Sequence, residues 1–212
     1  MQFQNRFEAG CLLANALQAY ANQKNVMVLA LPRGGVMVAD PIAKQLKAPL
    51  DLLLVKKLGV PGHEELAFGA VSIDDVVVLN KDVITSTELS PETMDVIIQQ
   101  KKKSVAERNA LYRQNKKSPD VAHKVVIIVD DGIATGATMQ AAIQAIHTQQ
   151  PQKIIVAVPV ADKIICDTLK KTVDEVICLH QPEWLSSIGY WYEDFTQVTD
   201  EEVLAMMRHY RK

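Results

Sequence analysis

Residues 125–138 read VVIIVDDGIATGAT, and this stretch decides the fold. Its first five residues are apolar and mostly β-branched, a run that is typical of a short strand buried on both faces of a parallel sheet. Two carboxylates, Asp130 and Asp131, follow at the C-terminal end of the predicted strand. A loop of small residues at 132–136 then leads into an Ala-rich segment at 137–148 that has helical character. The stretch therefore predicts a strand, an acidic pair, a loop and a helix, with a binding site at the strand end.

The parts of this stretch suit a ligand that carries both a phosphate and a sugar diol. Loop amides at a helix N-terminus, together with the hydroxyls of Thr135 and Thr138, can cradle a phosphate monoester. The adjacent carboxylates of Asp130 and Asp131 suit a sugar diol and a nearby Mg²⁺ ion. We therefore expect a phosphorylated ribose as the ligand and Mg²⁺ as the cofactor.

The composition of the chain is that of an ordinary globular protein. A formal charge of -2 favours neither general nucleic-acid binding nor attraction to anionic membranes. The three cysteines, Cys11, Cys166 and Cys178, lack metal-ligand spacing, and an odd number of them fits a reducing cytosol. Residues 1–9 do not read as a signal peptide, and no apolar run reaches the roughly 18 residues of a membrane helix. These features predict a cytoplasmic protein with no nucleic-acid or membrane partner.

Strands and helices alternate along the chain, which predicts an α/β fold with a largely parallel central sheet and helices on both faces. The predicted helices cover residues 5–22, 35–47, 90–114, 137–148 and 162–171. The predicted strands cover residues 26–31, 50–55, 67–73, 76–79, 125–129, 153–158 and 176–179. Residues 58–66 contain two glycines and a proline, and we expect them to form a polar, flexible loop.

Three of the predicted strands end in charged side chains: Arg33, Lys56-Lys57 and Asp130-Asp131. Binding sites in open α/β sheets gather at the C-terminal ends of the strands. Arg33 is followed by Gly34 and Gly35, and a tight turn of this kind can present backbone amides and a guanidinium to an anion. We therefore expect Arg33 and Lys57 to face the acidic pair.

Residues 125–138 resemble the phosphoribosyl-pyrophosphate (PRPP) binding motif of the type I phosphoribosyltransferases, an apolar strand with two acids and a T-G-x-T loop. Other phosphate motifs fit worse, because residues 132–138 lack the lysine of a Walker loop and no strand is followed by G-x-G-x-x-G. Residues 31–35, LPRGG, resemble the family's pyrophosphate-binding loop. Lys56-Lys57 with the following Gly and Pro residues is similar to the mobile loop of the adenine and orotate enzymes. The resemblance covers residues 26 to about 159.

The resemblance implies a glycosyltransferase of nucleotide metabolism that uses PRPP and Mg²⁺. A nitrogenous base or similar nucleophile would take the phosphoribosyl group, and pyrophosphate would leave. Asp130 and Asp131 would be the catalytic acids at the ribose diol and would hold the metal indirectly, through water or PRPP. The pyrophosphate would be held by Arg33, Gly34 and Lys57. The 5′-phosphate would be held by Ala134, Thr135, Gly136, Ala137 and Thr138.

The acceptor is the least defined part of the implied reaction. We expect a single domain over residues 1–212, with a core at about 24–180 and a small hood built from the tail at 181–212 and the helix at 5–22. In this hood Trp191 or Phe195 could stack on a base, or could simply pack. Glu65 is a candidate acid or base. A homodimer would match the family.

Ala134 departs from the pattern of the hypoxanthine-guanine enzymes, which carry a third carboxylate at this position. Alanine cannot move a proton, so the substitution weakens a 6-oxopurine assignment and is similar to the adenine and uracil enzymes. Two other functions stay open on the sequence alone. One is a non-catalytic regulator of the same fold that senses PRPP or a nucleotide. The other is a hydrolase or transferase that acts on another phosphosugar.

Overall fold

The computed structural model describes residues 2–73 and 75–210, which form eight strands and seven α-helices with three short 3₁₀ turns. The strands are β1 (Val26–Ala30), β2 (Leu50–Leu52), β3 (Val55–Val60), β4 (His63–Ser72), β5 (Val77–Leu79), β6 (Val125–Val129), β7 (Lys153–Val160) and β8 (Glu175–His180). The helices are α1 (Arg6–Ala16), α2 (Gly34–Leu46), α3 (Lys81–Thr87), α4 (Pro91–Arg113), α5 (Ala137–His147), α6 (Lys163–Leu169) and α7 (Asp200–Met207).

The chain divides into two compact units, each assembled from separate segments. The first unit consists of Met1–Leu53, Val121–Ala134 and Gln150–Lys212. The second consists of Leu54–Asp120 and Thr135–Gln149. The boundary within the 125–138 stretch therefore falls between Ala134 and Thr135.

The first unit contains a five-stranded parallel sheet in the order β2-β1-β6-β7-β8. Every residue of β1 and β6 is buried, as expected for central strands of a parallel sheet that is covered on both faces. The helices α1, α2 and α6 flank this sheet. The predicted α/β fold with a parallel sheet is confirmed, and the buried strand over 125–129 has the predicted bounds.

The helices α1 and α2 approach each other closely at Gly10. A Cβ atom at this position would lie 2.4 Å from the carbonyl oxygen of Val38 and 2.5 Å from Cγ of Pro41. Pro41 lies inside α2, beyond its first turn. Because only glycine leaves room for this contact, Gly10 fixes where α1 packs on its neighbour.

The second unit contains a three-stranded antiparallel sheet in the order β3-β4-β5, on which α4 and α5 pack. The prediction of a flexible loop over 58–66 is wrong, because most of these residues belong to β3 and β4. Pro61 and Gly62 mark only the turn, where Gly62 has a φ of 79°. Leu58 and Val60 are buried in β3, a short strand pattern that the neighbouring glycines obscure.

The predicted strand over 50–55 is confirmed only at 50–52, and the prediction that the lysines follow its end is wrong. Leu50–Leu52 forms β2 of the parallel sheet, whereas Lys56 and Lys57 lie within β3 of the antiparallel sheet. The predicted strands at 67–73 and 76–79 are confirmed as an antiparallel pair, β4 and β5, although Asp74 of their connection lies outside the described residues.

Two helices, α3 and α7, are additional to the predicted elements. The helix α7 begins with a capping box, in which the Thr199 side chain accepts from the Glu202 amide and the Glu202 carboxylate accepts from the Thr199 amide. The residues TDEE at 199–202 carry this signal in the sequence. Within residues 2–73 and 75–210, no helix has the length and apolar character that a membrane crossing requires.

Candidate functional site

The ends of β1 and β6 meet at one edge of the parallel sheet. The two strands pair in parallel, with Ala30 opposite Val129, so the residues that follow each strand are neighbours. The amide of Leu31 donates to the carbonyl oxygen of Val129 over 2.9 Å. The LPRGG loop after β1 and the acidic pair after β6 are therefore brought together, as the sequence predicted.

Gly34 is the point of closest approach between this loop and the acidic pair. A Cβ atom at Gly34 would lie 1.8 Å from Oδ2 of Asp131, and one at Gly35 would lie 2.7 Å from the carbonyl oxygen of Val129. Position 35 needs glycine because backbone atoms block a side chain there, whereas a side chain at position 34 would have to displace the Asp131 carboxylate. The Pro32–Arg33 peptide bond in this loop is cis.

The two carboxylates of the pair have different environments. Oδ1 of Asp130 accepts a hydrogen bond from the backbone amide of Asp131 over 2.9 Å. Burial raises the pKa of Asp130 well above its usual range, and the adjacent charge of Asp131 raises it further. Asp131 instead forms an ion pair, with 2.7 Å between its Oδ2 and Nε of Arg6. The pair thus combines a carboxyl that resists ionisation with one that is held by a cation.

Arg6 is a site residue that sequence reasoning missed. It is the first residue of α1 and lies 125 positions from Asp131. Its Nη1 donates to the carbonyl oxygen of Thr196 over 2.9 Å, and its Cζ lies 3.8 Å from the centroid of the Phe195 ring. No local spacing in the sequence pointed to this arginine.

The tail contributes a second contact to Asp131 through Tyr192. The Tyr192 hydroxyl donates to the backbone carbonyl oxygen of Asp131 over 2.7 Å. Burial, followed by the charge of Asp131, raises the pKa of the Tyr192 hydroxyl, so it stays protonated and can donate. Phe3 pairs with Tyr192 in an isolated bridge, and this bridge joins the N-terminal segment to the tail beside the acidic pair.

The aromatic residues predicted to stack on a base are packed against protein groups. The Phe195 ring stacks on Tyr192, with centroids 4.9 Å apart, in addition to its contact with Arg6. The Trp191 ring stacks on His180, with centroids 5.1 Å apart. Their predicted contact with a base stays a prediction, and in this conformation Phe195 holds Arg6.

Arg33, predicted to bind pyrophosphate, lies at the start of α2 in the LPRGG loop. Its Nη1 is 3.5 Å from Oδ1 of Asp200, the first residue of α7. Both side chains are partly exposed, so the pairing is weak and the guanidinium can be recruited by a stronger anion. Asp200 is a second neighbour that the sequence did not reveal.

The remaining candidates lie in the second unit. Gly136 is the N-cap of α5 with a φ of 78°, a backbone conformation that favours glycine. Thr135 and Thr138 are the hydroxyl residues at this helix start. Nζ of Lys57 is 2.7 Å from Oε1 of Glu65. The ammonium of Lys57 and then the hydroxyl of Thr135 lower the pKa of Glu65 below its usual range.

Glu65 therefore contacts two residues that were each predicted to bind the ligand's anionic groups. It is exposed and ionised, which makes it a base or a hydrogen-bond acceptor rather than a proton donor at neutral pH. Its role as an acid or base stays a prediction.

The acidic pair offers two adjacent carboxylates that could contribute to a magnesium site. Among the residues that the structure describes, no three His, Cys, Asp or Glu side chains cluster as a metal site would require. Mg²⁺ usually keeps several waters and takes one or two carboxylates together with substrate phosphates. The adjacent carboxylates of Asp130 and Asp131 fit that pattern.

The chain is similar to proteins with a common phosphoribosyl transferase domain. A family model described as "Phosphoribosyl transferase domain" matches residues 5–190. The Mycobacterium tuberculosis protein Rv0571c, provisionally named a phosphoribosyl transferase, is 42% identical over 205 residues, which cover 97% of this chain and 46% of that protein. The chain thus spans about half the length of this curated relative.

Two further proteins are similar to this chain. The bifunctional protein PyrR of Clostridium acetobutylicum is 30% identical over 132 residues, which cover 61% of this chain and 68% of that protein. The crystal structure of TT1426 from Thermus thermophilus superimposes with a TM-score of 0.92 at 36% identity, and the match covers 100% of both chains. The chain therefore belongs to the phosphoribosyl transferase domain family, and the predicted resemblance is confirmed.

Proposed function

We propose that this protein is an enzyme, a Mg²⁺- and PRPP-dependent phosphoribosyltransferase. It would transfer phosphoribose to a nitrogenous base or a similar nucleophile and release pyrophosphate, as a step of nucleotide metabolism. The observation that carries the proposal is the contact of Asp131 with Gly34, because it joins the acidic pair to the LPRGG loop. Membership of the phosphoribosyl transferase domain family supports the same reaction class.

The residues of the first unit would bind the ribose and the leaving group. The carboxylates of Asp130 and Asp131 accept hydrogen bonds from the ribose hydroxyls. They also stabilise the positive charge that develops on the ring as the bond to pyrophosphate breaks. The guanidinium of Arg33 and the amide of Gly34 bind the pyrophosphate. Mg²⁺, when bound, neutralises charge on the pyrophosphate, with Asp130 and Asp131 holding it through water or PRPP.

Further groups would bind the anionic parts of the ligand. The loop from Ala134 to Thr138 would bind the 5′-phosphate through its amides and its threonine hydroxyls. Lys57 adds a cation for pyrophosphate. Glu65, which contacts both Lys57 and Thr135, would exchange these partners when the anionic groups bind. The ionised Glu65 could then accept a proton from the incoming nucleophile.

Calorimetric titration of Mg²⁺-PRPP into Asp130→Asn/Asp131→Asn protein tests the proposal. We expect binding to be lost while the circular dichroism spectrum is retained. The matched control is Asp167→Asn/Glu183→Gln, which neutralises two carboxylates away from the acidic pair and should bind as the wild type does. Equal affinity in the two double variants would overturn the assignment of the acidic pair.

A sensing regulator is the second candidate, and Ala134 is the observation that favours it. The side chain is exposed and carries no proton-transferring group at a position where some relatives have a carboxylate. Pyrophosphate release across a panel of bases separates the two functions. Release with any base supports the enzyme, and PRPP binding without release for every base supports the regulator. We also propose a cytoplasmic location. We further propose a homodimer, and sedimentation analysis would check this oligomeric state.

A further inference from the structure

Arg6 and Asp131 form a largely buried ion pair within the first unit. Their side chains are 11% and 15% exposed, and 2.7 Å separates Nε of Arg6 from Oδ2 of Asp131. A buried ion pair contributes little net stability, because the cost of desolvating both charges offsets their attraction. An ion pair at this position therefore calls for an explanation other than stability.

Arg6 is itself held in a fixed orientation by the tail. Its Nη1 donates to the Thr196 carbonyl oxygen, and its guanidinium lies over the Phe195 ring at 3.8 Å from the centroid. A planar guanidinium can make these contacts together with the Nε bond to Asp131, whereas a lysine ammonium cannot make all three. The tail therefore determines the direction from which the cation approaches Asp131.

Two other residues lie against Asp131, one at its backbone and one beside its side chain. The Tyr192 hydroxyl holds the backbone carbonyl of Asp131 at 2.7 Å. On the side of the LPRGG loop, the absence of a side chain at Gly34 leaves room for Oδ2 of Asp131. Arg6, Tyr192 and Gly34 come from the N-terminal helix, the tail and the loop after β1, and all three meet at Asp131.

We infer that Arg6 is a positioning residue for the phosphoribosyl ligand. It orients the Asp131 carboxylate toward the ribose, while Phe195 and the Thr196 carbonyl hold Arg6 in place. The inference rests on the proposed function, since it concerns the same acidic pair. It gives the N-terminal helix and the tail a defined role at the ribose, separate from any contact with the acceptor.

The test is the affinity of Arg6→Gln and Arg6→Lys proteins for Mg²⁺-PRPP, measured by calorimetry. We expect Arg6→Gln to bind on the order of tenfold to a hundredfold more weakly, the loss typical when the hydrogen-bonded partner of a ligand-binding group is removed. Arg6→Lys keeps the charge and loses the planar contacts, so its affinity should fall between that of Arg6→Gln and that of the wild type.

A double-mutant cycle separates positioning from a general structural effect. In an Asp131→Asn background, Arg6→Gln should cause no further loss of affinity, because its partner is already neutral. The matched control is Lys153→Gln, which removes one half of an equally short ion pair with Glu175 in the same unit. It should lower stability without changing the affinity for Mg²⁺-PRPP.

The outcomes distinguish the inference from the function on which it rests. Wild-type protein that fails to bind Mg²⁺-PRPP overturns both. Wild-type binding combined with unchanged affinity in Arg6→Gln overturns the inference and leaves the proposed function intact. If Arg6→Gln does not fold, Arg6→Lys decides: an affinity equal to that of the wild type contradicts the inference.

Discussion

At the scale of single residues, Asp130 and Asp131 have identical side chains but different electrostatic surroundings. Asp131 is paired with Arg6, whereas Asp130 is buried beside a like charge that raises its pKa. A carboxyl whose pKa is raised by folding stabilises the protein fully below its unfolded-state pKa. That contribution is lost as the pH rises through the folded-state value. Above the folded-state pKa an ionised Asp130 therefore destabilises the folded state, which is a cost of keeping a binding group in place.

Asp130→Asn should consequently raise thermal stability at about pH 8, above the unfolded-state pKa of a carboxyl. The substitution removes the buried charge and keeps an oxygen that can accept from the Asp131 amide. The unfolding midpoint should rise by about 2–4 °C for each kcal/mol gained, and the gain over the wild type should shrink as the pH falls toward about 4. Scanning calorimetry across this pH range measures the unfolding midpoint. The variant should also lose Mg²⁺-PRPP binding.

Asp131→Asn is the matched comparison at the neighbouring position. It leaves the Arg6 guanidinium largely buried without its partner, which should cost on the order of 3 kcal/mol. A gain in stability for Asp130→Asn and a loss for Asp131→Asn would reflect the different environments of the two carboxyls. A lower midpoint for Asp130→Asn under alkaline conditions would contradict the raised pKa of Asp130.

At the scale of elements, the placement of Arg6 depends on how α1 packs. Arg6 begins α1, and Gly10 one turn later lies against Val38 and Pro41 of α2. The contact needs glycine because it brings a helix backbone against a carbonyl oxygen. The position of α1, and with it the cation beside Asp131, is therefore set by a residue that touches no ligand.

Gly10→Ala should force α1 away from α2. The added Cβ would lie 2.4 Å from the Val38 carbonyl oxygen, a backbone atom that cannot rotate aside. We expect a loss of about 1–3 kcal/mol in the free energy of unfolding, measured by urea denaturation, and weaker Mg²⁺-PRPP binding because Arg6 moves. Leu12→Ala on the exposed side of α1 is the control and should change stability by less than about 0.5 kcal/mol. Equal effects of the two substitutions would show that the close contact is unimportant.

The antiparallel strands show where local sequence signals mislead. In β3 and β4, Gly59, Pro61 and Gly62 suggested a flexible loop, yet β3 carries buried Leu58 and Val60 and pairs with β4. Close packing requires glycine at position 59, because a Cβ atom there would lie 2.8 Å from a backbone carbonyl oxygen of β4. A composition rich in Gly and Pro thus indicated a turn correctly but overestimated its length.

At the scale of the whole molecule, the chain passes between its two units within the proposed ligand-binding loop. Asp130 and Asp131 belong to the first unit, and Thr135 to the second. The second unit is completed only when Thr135–Gln149 is added, because this segment supplies α5, which packs on β3 and β4. Neither unit is a continuous piece of chain.

A fragment of residues 54–120 should therefore fail to fold cooperatively. It lacks α5 and leaves the apolar face that this helix covers on β3 and β4 exposed to water. The same fragment joined to residues 135–149 by a Gly/Ser linker should regain a cooperative thermal transition. Circular dichroism melts of the two fragments measure the difference. A sharp transition in the shorter fragment would show that α5 is dispensable for this unit.

The sequence alone determined the parallel α/β fold, the buried strand at 125–129 and the acidic pair with its phosphate-type loop. These features follow from short-range patterns, namely β-branched runs, strand–loop–helix order and glycine at tight turns. The resemblance to phosphoribosyltransferases followed from the same residues. The contact of the LPRGG loop with the acidic pair was also foreseeable, because both loops leave the same edge of a parallel sheet.

Only the tertiary structure brought Arg6, Tyr192 and Asp200 to this edge and assigned Lys57 to a different sheet. Arg6 and Asp131 are separated by 125 positions, and no periodicity or spacing connects residues so far apart. Their contact depends on the strand order of the sheet, the packing of α1 at Gly10 and the path of the tail. The acidic pair could thus be predicted from the sequence, whereas the position of Arg6 beside it depends on long-range packing.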